Sequence, residues 1–278
     1  MDFNLLKALI FPKKRDRYLT RVWKKRAAVD PGLVVVGCIS AGIDTIGVKY
    51  LGKYPVLLDA YGQSIPESVL REGHFQFDLF ETLADIYPRR DVRFINIGAN
   101  VGTSCLNAYE AGFRDIVAFE PVARNFQLLK HNLQNIPADL RHQAIGDQNG
   151  RLKIHLNRGS SGMNSFMRDY GDGSEEVEIV RLDDAIEQVP SFLWIDTEGY
   201  EVHVLRGAER HLAESVQGLC VEVTPSMLKD EGLLALEQIL KRHFTRFYLT
   251  NGQVRELDLK RLTADGKRGK QIDLIALK

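Results

Sequence analysis

From about residue 66 onward, short apolar segments alternate with segments of helical periodicity, and this alternation limits the choice of fold more than any other feature. The apolar segments occur at 93–97, 116–119, 140–145, 192–195 and 219–223. Runs without a polar face are typical of parallel strands that helices cover on both sides of a sheet. The sequence therefore predicts an α/β fold with a mostly parallel sheet and helices on both faces.

The C-terminal part of the chain predicts two further strands, at 244–249 and 272–276. No convincing helical pattern separates them, so we expect an antiparallel hairpin that closes one edge of a seven-stranded sheet. Two more strand-like segments, 152–156 and 177–180, flank a Gly/Ser loop at 157–165. This loop is a candidate lid whose Ser and Asn groups could bind a polyol, or it is an exposed hairpin loop.

The first predicted parallel strand ends in a glycine turn that contains Asn96, Gly98, Asn100 and Gly102. Glycines let the backbone turn tightly and approach a ligand closely, and the helix that follows presents free N–H groups. The turn lacks the third glycine of the dinucleotide fingerprint and the Lys-Ser/Thr pair of a phosphate-binding loop. It therefore favours a nucleoside ligand without a pyrophosphate, although a plain strand-to-helix turn has the same pattern.

An acidic residue and an apolar pair end the next two predicted strands. Glu120 lies 24 residues after Asn96, near the position where a carboxylate accepts hydrogen bonds from ribose hydroxyls in nucleotide-binding sheets. Alternatively, Glu120 is a solvated acid near the start of a helix. Ala144 and Ile145 end the third strand and suit an adenine ring, and Asp147 follows them as a ligand contact or only a turn residue.

Two carboxylates, Asp196 and Glu198, follow the fourth strand at the same edge of the sheet. Carboxylates at such a position are costly unless they bind, catalyse or pair. Asp196 is the expected base or orienting group for a hydroxyl, and Glu198 assists it or holds a divalent cation with it. Glu201 fits the acidic first turn of a helix. His155 and His203 are alternative bases, and His203 is equally compatible with a surface position.

These segments resemble the FkbM family of methyltransferases in their order and separation over residues 90–225. The resemblance rests on the glycine turn, on Phe119-Glu120-Pro121, on Ala144-Ile145-Gly146 and, most specifically, on Ile195-Asp196 followed by Glu198, Gly199 and Glu201. The stretch Arg181-Leu182-Asp183-Asp184 also resembles the family. The sequence departs from the family at Asn96, where many relatives carry Asp; an Asn side chain still makes the hydrogen bonds.

The resemblance implies a Rossmann-like class I methyltransferase fold, S-adenosylmethionine as methyl donor and oxygen as the usual acceptor. We therefore predict an O-methyltransferase that acts on a hydroxyl of a small molecule or glycan, with Asp196 and Glu198 as catalytic residues. The predicted cofactor contacts are Asn96, Gly98, Asn100, Gly102, Glu120, Ala144, Ile145 and Asp196. Two alternatives are a nicotinamide-dependent oxidoreductase, disfavoured by the missing glycine, and a non-catalytic nucleoside-binding module, disfavoured by the intact acidic segment.

The first 65 residues follow a different pattern, so we expect an N-terminal extension at 1–65 and a methyltransferase domain at 66–278. The extension predicts a short helix at 3–11, a basic helix at 13–29 and short strands at 33–36 and 55–58. Residues 1–26 carry nine Lys or Arg against two Asp, although the whole chain has a net charge of zero. This run could contact an anionic membrane surface or a partner, or form the solvated face of a packed helix.

Composition argues against several other classes. A chain without net charge is no electrostatic trap for nucleic acid. Three cysteines without a C-x-x-C motif argue against a disulfide framework or a cysteine zinc site and favour a reducing compartment. No apolar run approaches the ~18 residues that a membrane helix needs. We expect a cytoplasmic protein with a small-molecule or saccharide acceptor and no nucleic-acid partner, with peripheral membrane contact through the basic N-terminus as an option.

Overall fold

A computed structural model describes residues 31–62, 64–264 and 269–278. The predicted helices at 3–11 and 13–29 lie outside the described residues. Within the described ranges, no helix is long and apolar enough to cross a membrane. The chain divides into two compact units between Phe75 and Gln76, and residues 158–162 group with the first unit. The expected division into an N-terminal extension at 1–65 and a methyltransferase domain at 66–278 stays a prediction.

The first unit contains the helices α1 (Pro31–Ser40) and α2 (Ser64–Glu72) and the strands β1 (Thr45–Tyr50) and β2 (Tyr54–Asp59). The two strands pair antiparallel, with Ile46 opposite Leu58. The prediction of a strand at 33–36 is wrong, because these residues lie inside α1. That helix begins at a proline, which suits the first helical position, and burial of Val34 and Val35 outweighs the preference of β-branched residues for strands.

The second unit contains eleven described strands. In chain order they are β3 (Arg93–Ile97), β4 (Ile116–Phe119), β5 (Asp139–Arg141), β6 (Ala144–Ile145), β7 (Gly150–His155), β8 (Ser174–Val180), β9 (Ser191–Ile195), β10 (Val216–Val223), β11 (Arg246–Leu249), β12 (Gly252–Val254) and β13 (Ile272–Leu277). Eight of them form one sheet in the order β12-β11-β13-β10-β9-β3-β4-β5. The five consecutive strands β10, β9, β3, β4 and β5 are parallel to one another, which confirms the predicted mostly parallel sheet.

The closing antiparallel pair is also present, since β13 pairs antiparallel with both β10 and β11. The sheet has eight strands rather than the predicted seven, because the short β12 pairs with β11. The single strand predicted at 140–145 is two strands: β5 continues the large sheet, whereas β6 pairs with β8 in a separate sheet of order β6-β8-β7. The chain changes sheets between Arg141 and Ala144.

Helices pack beside these strands. In chain order they are α3 (Phe77–Ile86), α4 (Thr103–Glu110), α5 (Ala123–Asn132), α6 (Leu182–Ala185), α7 (Glu201–Arg206), α8 (Glu209–Glu214), α9 (Pro225–His243) and α10 (Leu259–Thr263). The helical periodicity of residues 67–86 predicts a single helix, but the structure has two, because residues between α2 and α3 leave the right-handed helical region at Gly73 (φ 87) and Gln76 (φ 53).

The parallel register brings the carboxyl ends of the central strands to one edge of the large sheet. Ile97 lies opposite Phe119 of β4 and opposite Ile195 of β9, and Ile195 lies opposite Val221 of β10. Ligands bind at this edge in open parallel sheets, where the strand order reverses. The turns after β3, β4, β9 and β10 are therefore the place to look for the site.

Candidate active site

The glycine turn after β3 is in direct contact with the end of β9. Gly98 has φ 83, and a Cβ at this position would lie 2.9 Å from the carbonyl carbon of Asp196 and overlap its oxygen. The Asp196 N–H donates in turn to the Ile97 carbonyl at 3.1 Å. Only glycine provides both the backbone angle and the space. This close approach is to protein backbone, and the predicted close approach of Gly98 to a ligand stays a prediction.

Gly102 and Asn100 complete the turn and start α4. Gly102 has φ 93, and a Cβ there would lie 2.8 Å from Leu129 Cδ1 of α5. Asn100 also has a left-handed backbone, with φ 50. Its side-chain Oδ1 is buried and has no hydrogen-bond partner among the described residues. A buried acceptor without a partner is unusual in proteins, and a ligand donor would satisfy it.

Glu120 is held by the turn on one side and by α5 on the other. Its Oε2 accepts from the Asn100 N–H at 2.8 Å and its Oε1 from the Val122 N–H at 2.8 Å, and the Asn125 side chain donates a further bond. Burial raises the pKa of Glu120 to about 7, although these hydrogen bonds oppose the shift. The structure therefore shows an anchored carboxylate beside the turn, in place of a solvated helix cap.

Asn96 lies under the turn, with a relative exposure of 1%. Its Nδ2 donates to Cys105 Sγ at 3.2 Å, and burial raises the pKa of that thiol to about 12, so the thiol is neutral. The Oδ1 of Asn96 has no partner within the part of the chain that the structure describes. A direct cofactor contact by this side chain stays a prediction.

The adenine position predicted after the third strand belongs to β6 and the turn that follows it. Ala144 and Ile145 are buried in the hydrophobic core, Gly146 is buried as well, and Asp147 is the first residue of the turn with a partly exposed side chain. His203 Nδ1 lies 2.7 Å from Asp147 Oδ2, within hydrogen-bond distance. The structure thus places His203 beside the β6 turn and pairs it there.

The acidic segment after β9 forms a tight turn that Glu201 organises. Glu198 has φ 50 and Gly199 has φ 98. Glu201 Oε1 accepts from the Thr197 N–H at 3.2 Å, the Thr197 hydroxyl at 3.0 Å and the Gly199 N–H at 3.1 Å. Its side chain therefore fixes the loop before α7, a more specific role than an acidic first turn.

A third carboxylate, which the sequence analysis missed, joins Asp196 and Glu198. One carboxylate oxygen each of Asp196, Glu198 and Glu222 lie within 4.8 Å of one another. Glu222 stands near the end of β10 opposite Asp273 of β13. Gln271 and the Thr224 hydroxyl donate to Glu222. A carboxylate inside an otherwise apolar strand was the available signal, since such burial is rare without a partner.

Mutual repulsion and burial shift the ionisation of this carboxylate cluster, which comprises Asp196, Glu198, Glu222 and Asp273. Burial, then the charge of Glu198, raise the pKa of Asp196. Burial raises the pKa of Glu198 to about 7 and that of Glu222 to about 11, with Asp196 the largest charge acting on Glu222. Burial also raises the pKa of Asp273 to about 6. Ionising all four carboxyls together is therefore unfavourable without a compensating positive charge, and a bound cation would supply it.

The segment after β7 reaches the acidic turn through Ser165. The Ser165 hydroxyl donates to the Glu198 carbonyl at 2.7 Å and accepts from the Met167 N–H at 3.0 Å. Its backbone exchanges two hydrogen bonds with His155, and its side chain is fully buried. This end of the predicted 157–165 lid is therefore fixed in place. His155 Nδ1 lies 3.4 Å from Asp169.

Comparison with known proteins identifies the class. The Methyltransferase FkbM domain matches residues 96–257, a range that contains the glycine turn, Glu120 and the acidic turn. Together with the parallel sheet and its closing antiparallel strands, this match defines a domain of the FkbM methyltransferase class with a Rossmann-like fold. The match covers more than half of the chain, and the chain belongs to the FkbM methyltransferase family. The nicotinamide-dependent alternative is thereby set aside.

The solved structures to which this chain is similar include methyltransferases. The methyltransferase FkbM from Methylobacillus flagellatus KT is 15% identical, with a TM-score of 0.49 over 95% of this chain and 59% of its own. A 16S rRNA methyltransferase from T. thermophilus, solved with AdoMet and guanosine, is 14% identical, with a TM-score of 0.44 over 84% of this chain and 50% of its own. The chain thus spans between half and three fifths of these two structures. A search of the curated proteins finds no match.

Proposed function

We propose that the protein transfers the methyl group of S-adenosylmethionine to a hydroxyl oxygen of a small molecule or saccharide. The backbone contact between Asp196 and Gly98 carries the proposal, because it joins a residue that bears a carboxylate to the glycine turn, at the edge where ligands of such sheets bind. A hydroxyl oxygen must lose its proton as it attacks. Asp196 is the proposed group that orients the hydroxyl and takes this proton, and Glu198 assists it.

The chain's own residues at this edge fit an adenosyl ligand. Glu120 makes three hydrogen bonds within the protein, which leaves about one of its roughly four acceptor positions for a ribose hydroxyl. The unpartnered Oδ1 of Asn100 supplies another acceptor. When bound, the cofactor supplies an electrophilic methyl group, and the enzyme's main task is alignment. The proposed contacts are Asn96, Gly98, Asn100, Gly102, Glu120, Ala144, Ile145 and Asp196.

A divalent cation between Asp196, Glu198 and Glu222 is the second part of the proposal. Carboxylate oxygens are the ligands that Mg²⁺ and Ca²⁺ prefer, and the three groups converge within 4.8 Å. An independent observation supports it: Glu201 Oε2 is buried without a hydrogen-bond partner among the described residues, and Glu201 acts electrostatically on both Asp196 and Glu198. A cation would offset this uncompensated negative charge and hold an acceptor oxygen in line for attack.

The negative charge at this edge also affects which acceptors and partners can bind there. The four carboxylates Asp196, Glu198, Glu222 and Asp273 outnumber the two positive charges of one divalent cation, so the edge keeps a negative charge that disfavours nucleic acid and supports a small-molecule or saccharide acceptor. A polyol offers several hydroxyl donors to these carboxylates. Contact of the basic run at 1–26 with a membrane surface and a cytoplasmic location stay predictions.

Transfer of a radiolabelled methyl group from S-adenosylmethionine to a panel of sugars, phenols and other alcohols tests the catalytic assignment. Asp196→Asn keeps the shape of the side chain but cannot take a proton, so we expect turnover to fall at least a hundredfold while S-adenosylhomocysteine affinity changes little. Asp115→Asn is the matched control, because Asp115 precedes β4 at the opposite edge, paired with Arg93. Full activity of Asp196→Asn would exclude its proposed role.

Titration with Mn²⁺, followed by electron paramagnetic resonance, tests the cation site. We expect one bound ion in the wild-type protein and weaker binding in Glu198→Gln and Glu222→Gln. Asp184→Asn serves as the control, since Asp184 pairs with Arg210 away from the cluster. Absence of bound Mn²⁺ together with full methyl transfer in the presence of a chelator would remove the cation from the proposal and leave the general-base role of Asp196 intact.

A further inference from the structure

His203 and Asp147 form a close pair although 56 positions separate them. His203 Nδ1 lies 2.7 Å from Asp147 Oδ2, and each side chain keeps about a third of its surface exposed. A hydrogen bond with a charged partner is among the stronger polar contacts in proteins. It fixes one oxygen of the Asp147 carboxylate against α7, and the partial exposure of the pair leaves the carboxylate accessible to a ligand.

Aromatic packing fixes the imidazole as well. The His203 ring stacks on the Tyr200 ring with a centroid distance of 4.3 Å and an interplanar angle of 13°. Tyr200 is buried, at 5% exposure, and its other neighbour is Phe166 at 4.8 Å. Because Tyr200 cannot move without disturbing the core, it sets the position of the imidazole, and the imidazole sets the position of the carboxylate.

Two glycines bring the backbone of α7 and the β6 turn together. A Cβ at Gly146 would lie 3.0 Å from Tyr200 Cε1 and 2.5 Å from Ile179 Cδ1. A Cβ at Gly207, just after α7, would overlap the carbonyl oxygen of Gly146 and lie 2.7 Å from its carbonyl carbon. The turn that carries Asp147 is thus packed against both ends of the helix that carries His203. This close packing makes the pair a built feature of the fold.

We infer that His203 is a positioning residue that holds Asp147 to accept a hydrogen bond from the exocyclic amino group of an adenine ring. The inference rests on the proposed adenosyl site, in which Ala144, Ile145 and the turn after them meet the base. A carboxylate accepts from an amino group and repels the carbonyl oxygen of a 6-oxo purine. A site built around such a hydrogen bond rejects analogues that cannot make it. His203 therefore increases the selectivity of the site for adenine over hypoxanthine.

Calorimetric titration with S-adenosylhomocysteine and S-inosylhomocysteine tests this role without an acceptor substrate. We expect the wild-type protein to bind the adenosyl ligand much more tightly than the inosyl ligand. His203→Ala should lose about tenfold in adenosyl affinity, and the ratio of its affinities for the two ligands should be smaller. His203→Asn should restore both in large part, because its amide N–H can donate to Asp147. Asp147→Asn should shift the preference toward the inosyl ligand, because its amide can donate to a 6-oxo group.

His243→Ala is the matched control, since His243 faces Glu209 at 3.4 Å near the end of α9, and its adenosyl affinity should equal that of the wild type. If His203→Ala and Asp147→Asn keep wild-type affinity and preference while Glu120→Ala loses binding, the role of His203 is excluded and the proposed cofactor site stands. If the wild-type protein binds neither ligand, the proposed cofactor site itself fails. Circular dichroism melting checks that each variant is folded. If His203→Ala does not fold, the comparison of His203→Asn and Asp147→Asn with the wild type still tests the role of His203.

Discussion

Gly98 and Asp196 are in backbone contact, although they belong to different strand ends and lie far apart in the sequence. The turn after β3 approaches the end of β9 so closely that a Cβ at Gly98 would overlap the Asp196 carbonyl oxygen. The glycine turn and the backbone of Asp196 therefore form one tightly packed unit. Family membership makes this unit part of a methyltransferase, and the contact relates the expected cofactor turn to the proposed base.

Gly98→Ala should disrupt this unit. The substitution adds a steric overlap with backbone to the cost of an L-residue at φ 83, and we expect a loss of about 3 kcal/mol of unfolding free energy together with loss of S-adenosylhomocysteine binding. Gly171→Ala is the control, because Gly171 has φ 77 with open space around it and should cost only about 1 kcal/mol. Urea unfolding of both variants gives the comparison; equal, small losses would contradict the close contact.

Cofactor affinity should depend on pH through Glu120. Burial raises the pKa of this carboxyl to about 7, and a protonated carboxyl loses acceptor capacity for a ribose hydroxyl. We expect S-adenosylhomocysteine affinity to be constant above pH 7 and to fall up to about tenfold for each pH unit below it. Calorimetry between pH 5 and 9 measures this, and Glu120→Gln should give a weak affinity without this dependence. A wild-type affinity that does not change over this range would contradict it.

Stability should show the opposite trend from the same group. Burial raises the pKa of Glu120 in the folded protein. Its contribution to the free energy of unfolding is therefore fully present below the ordinary pKa of 4.5, where the carboxyl is protonated in both states, and is lost as pH rises toward about 7. The contribution amounts to about 3 kcal/mol. Urea unfolding of the wild type and Glu120→Gln isolates it, because the other raised carboxyls are common to both. A free-energy difference between the two that stays constant from pH 4 to 8 would rule out the shifted ionisation.

The buried pair of Asp183 and His211 should support the fold away from the acidic edge. Asp183 accepts from the Arg210 N–H at 3.0 Å and from the His211 N–H at 3.1 Å, and it lies 2.8 Å from His211 Nδ1. Burial alone would raise the pKa of Asp183, but these hydrogen bonds outweigh it and lower the pKa. Its stabilising effect is therefore present above its ordinary pKa and is lost as pH falls. Asp183→Asn should cost about 3 kcal/mol at pH 7.

That loss is measured by urea unfolding, with the exposed Asp115→Asn as a reference that should change stability by less than about 1 kcal/mol. S-adenosylhomocysteine affinity should survive in Asp183→Asn wherever the protein is folded. A variant as stable as the wild type would show that the Asp183 hydrogen bonds contribute little, and loss of cofactor affinity in a folded variant would place Asp183 in the site.

The sequence predicted the elements whose signal is local. Apolar runs gave the parallel strands, and the glycine turn and Asp196 were correctly placed at one edge because parallel strands end together. Asp273 was missed because its position depends on the antiparallel insertion of β13 beside β10, which no local pattern encodes, whereas the carboxylate of Glu222 in an apolar strand was a local signal that was overlooked. Residues 33–36 were predicted as a strand but lie inside α1, because burial there outweighs the preference of β-branched residues for strands. The role of His203 depends on a contact over 56 positions, beyond the reach of motif spacing.

The central claim is that the edge formed by the glycine turn and Glu120 binds S-adenosylmethionine. Calorimetric titration of the wild type and Glu120→Ala with S-adenosylmethionine, S-adenosylhomocysteine and NAD tests it most directly. We predict micromolar binding of both adenosyl ligands to the wild type, at least tenfold weaker binding to Glu120→Ala, and no binding of NAD. Adenosyl binding that is unchanged in the folded variant, or NAD binding in place of the adenosyl ligands, would contradict the account.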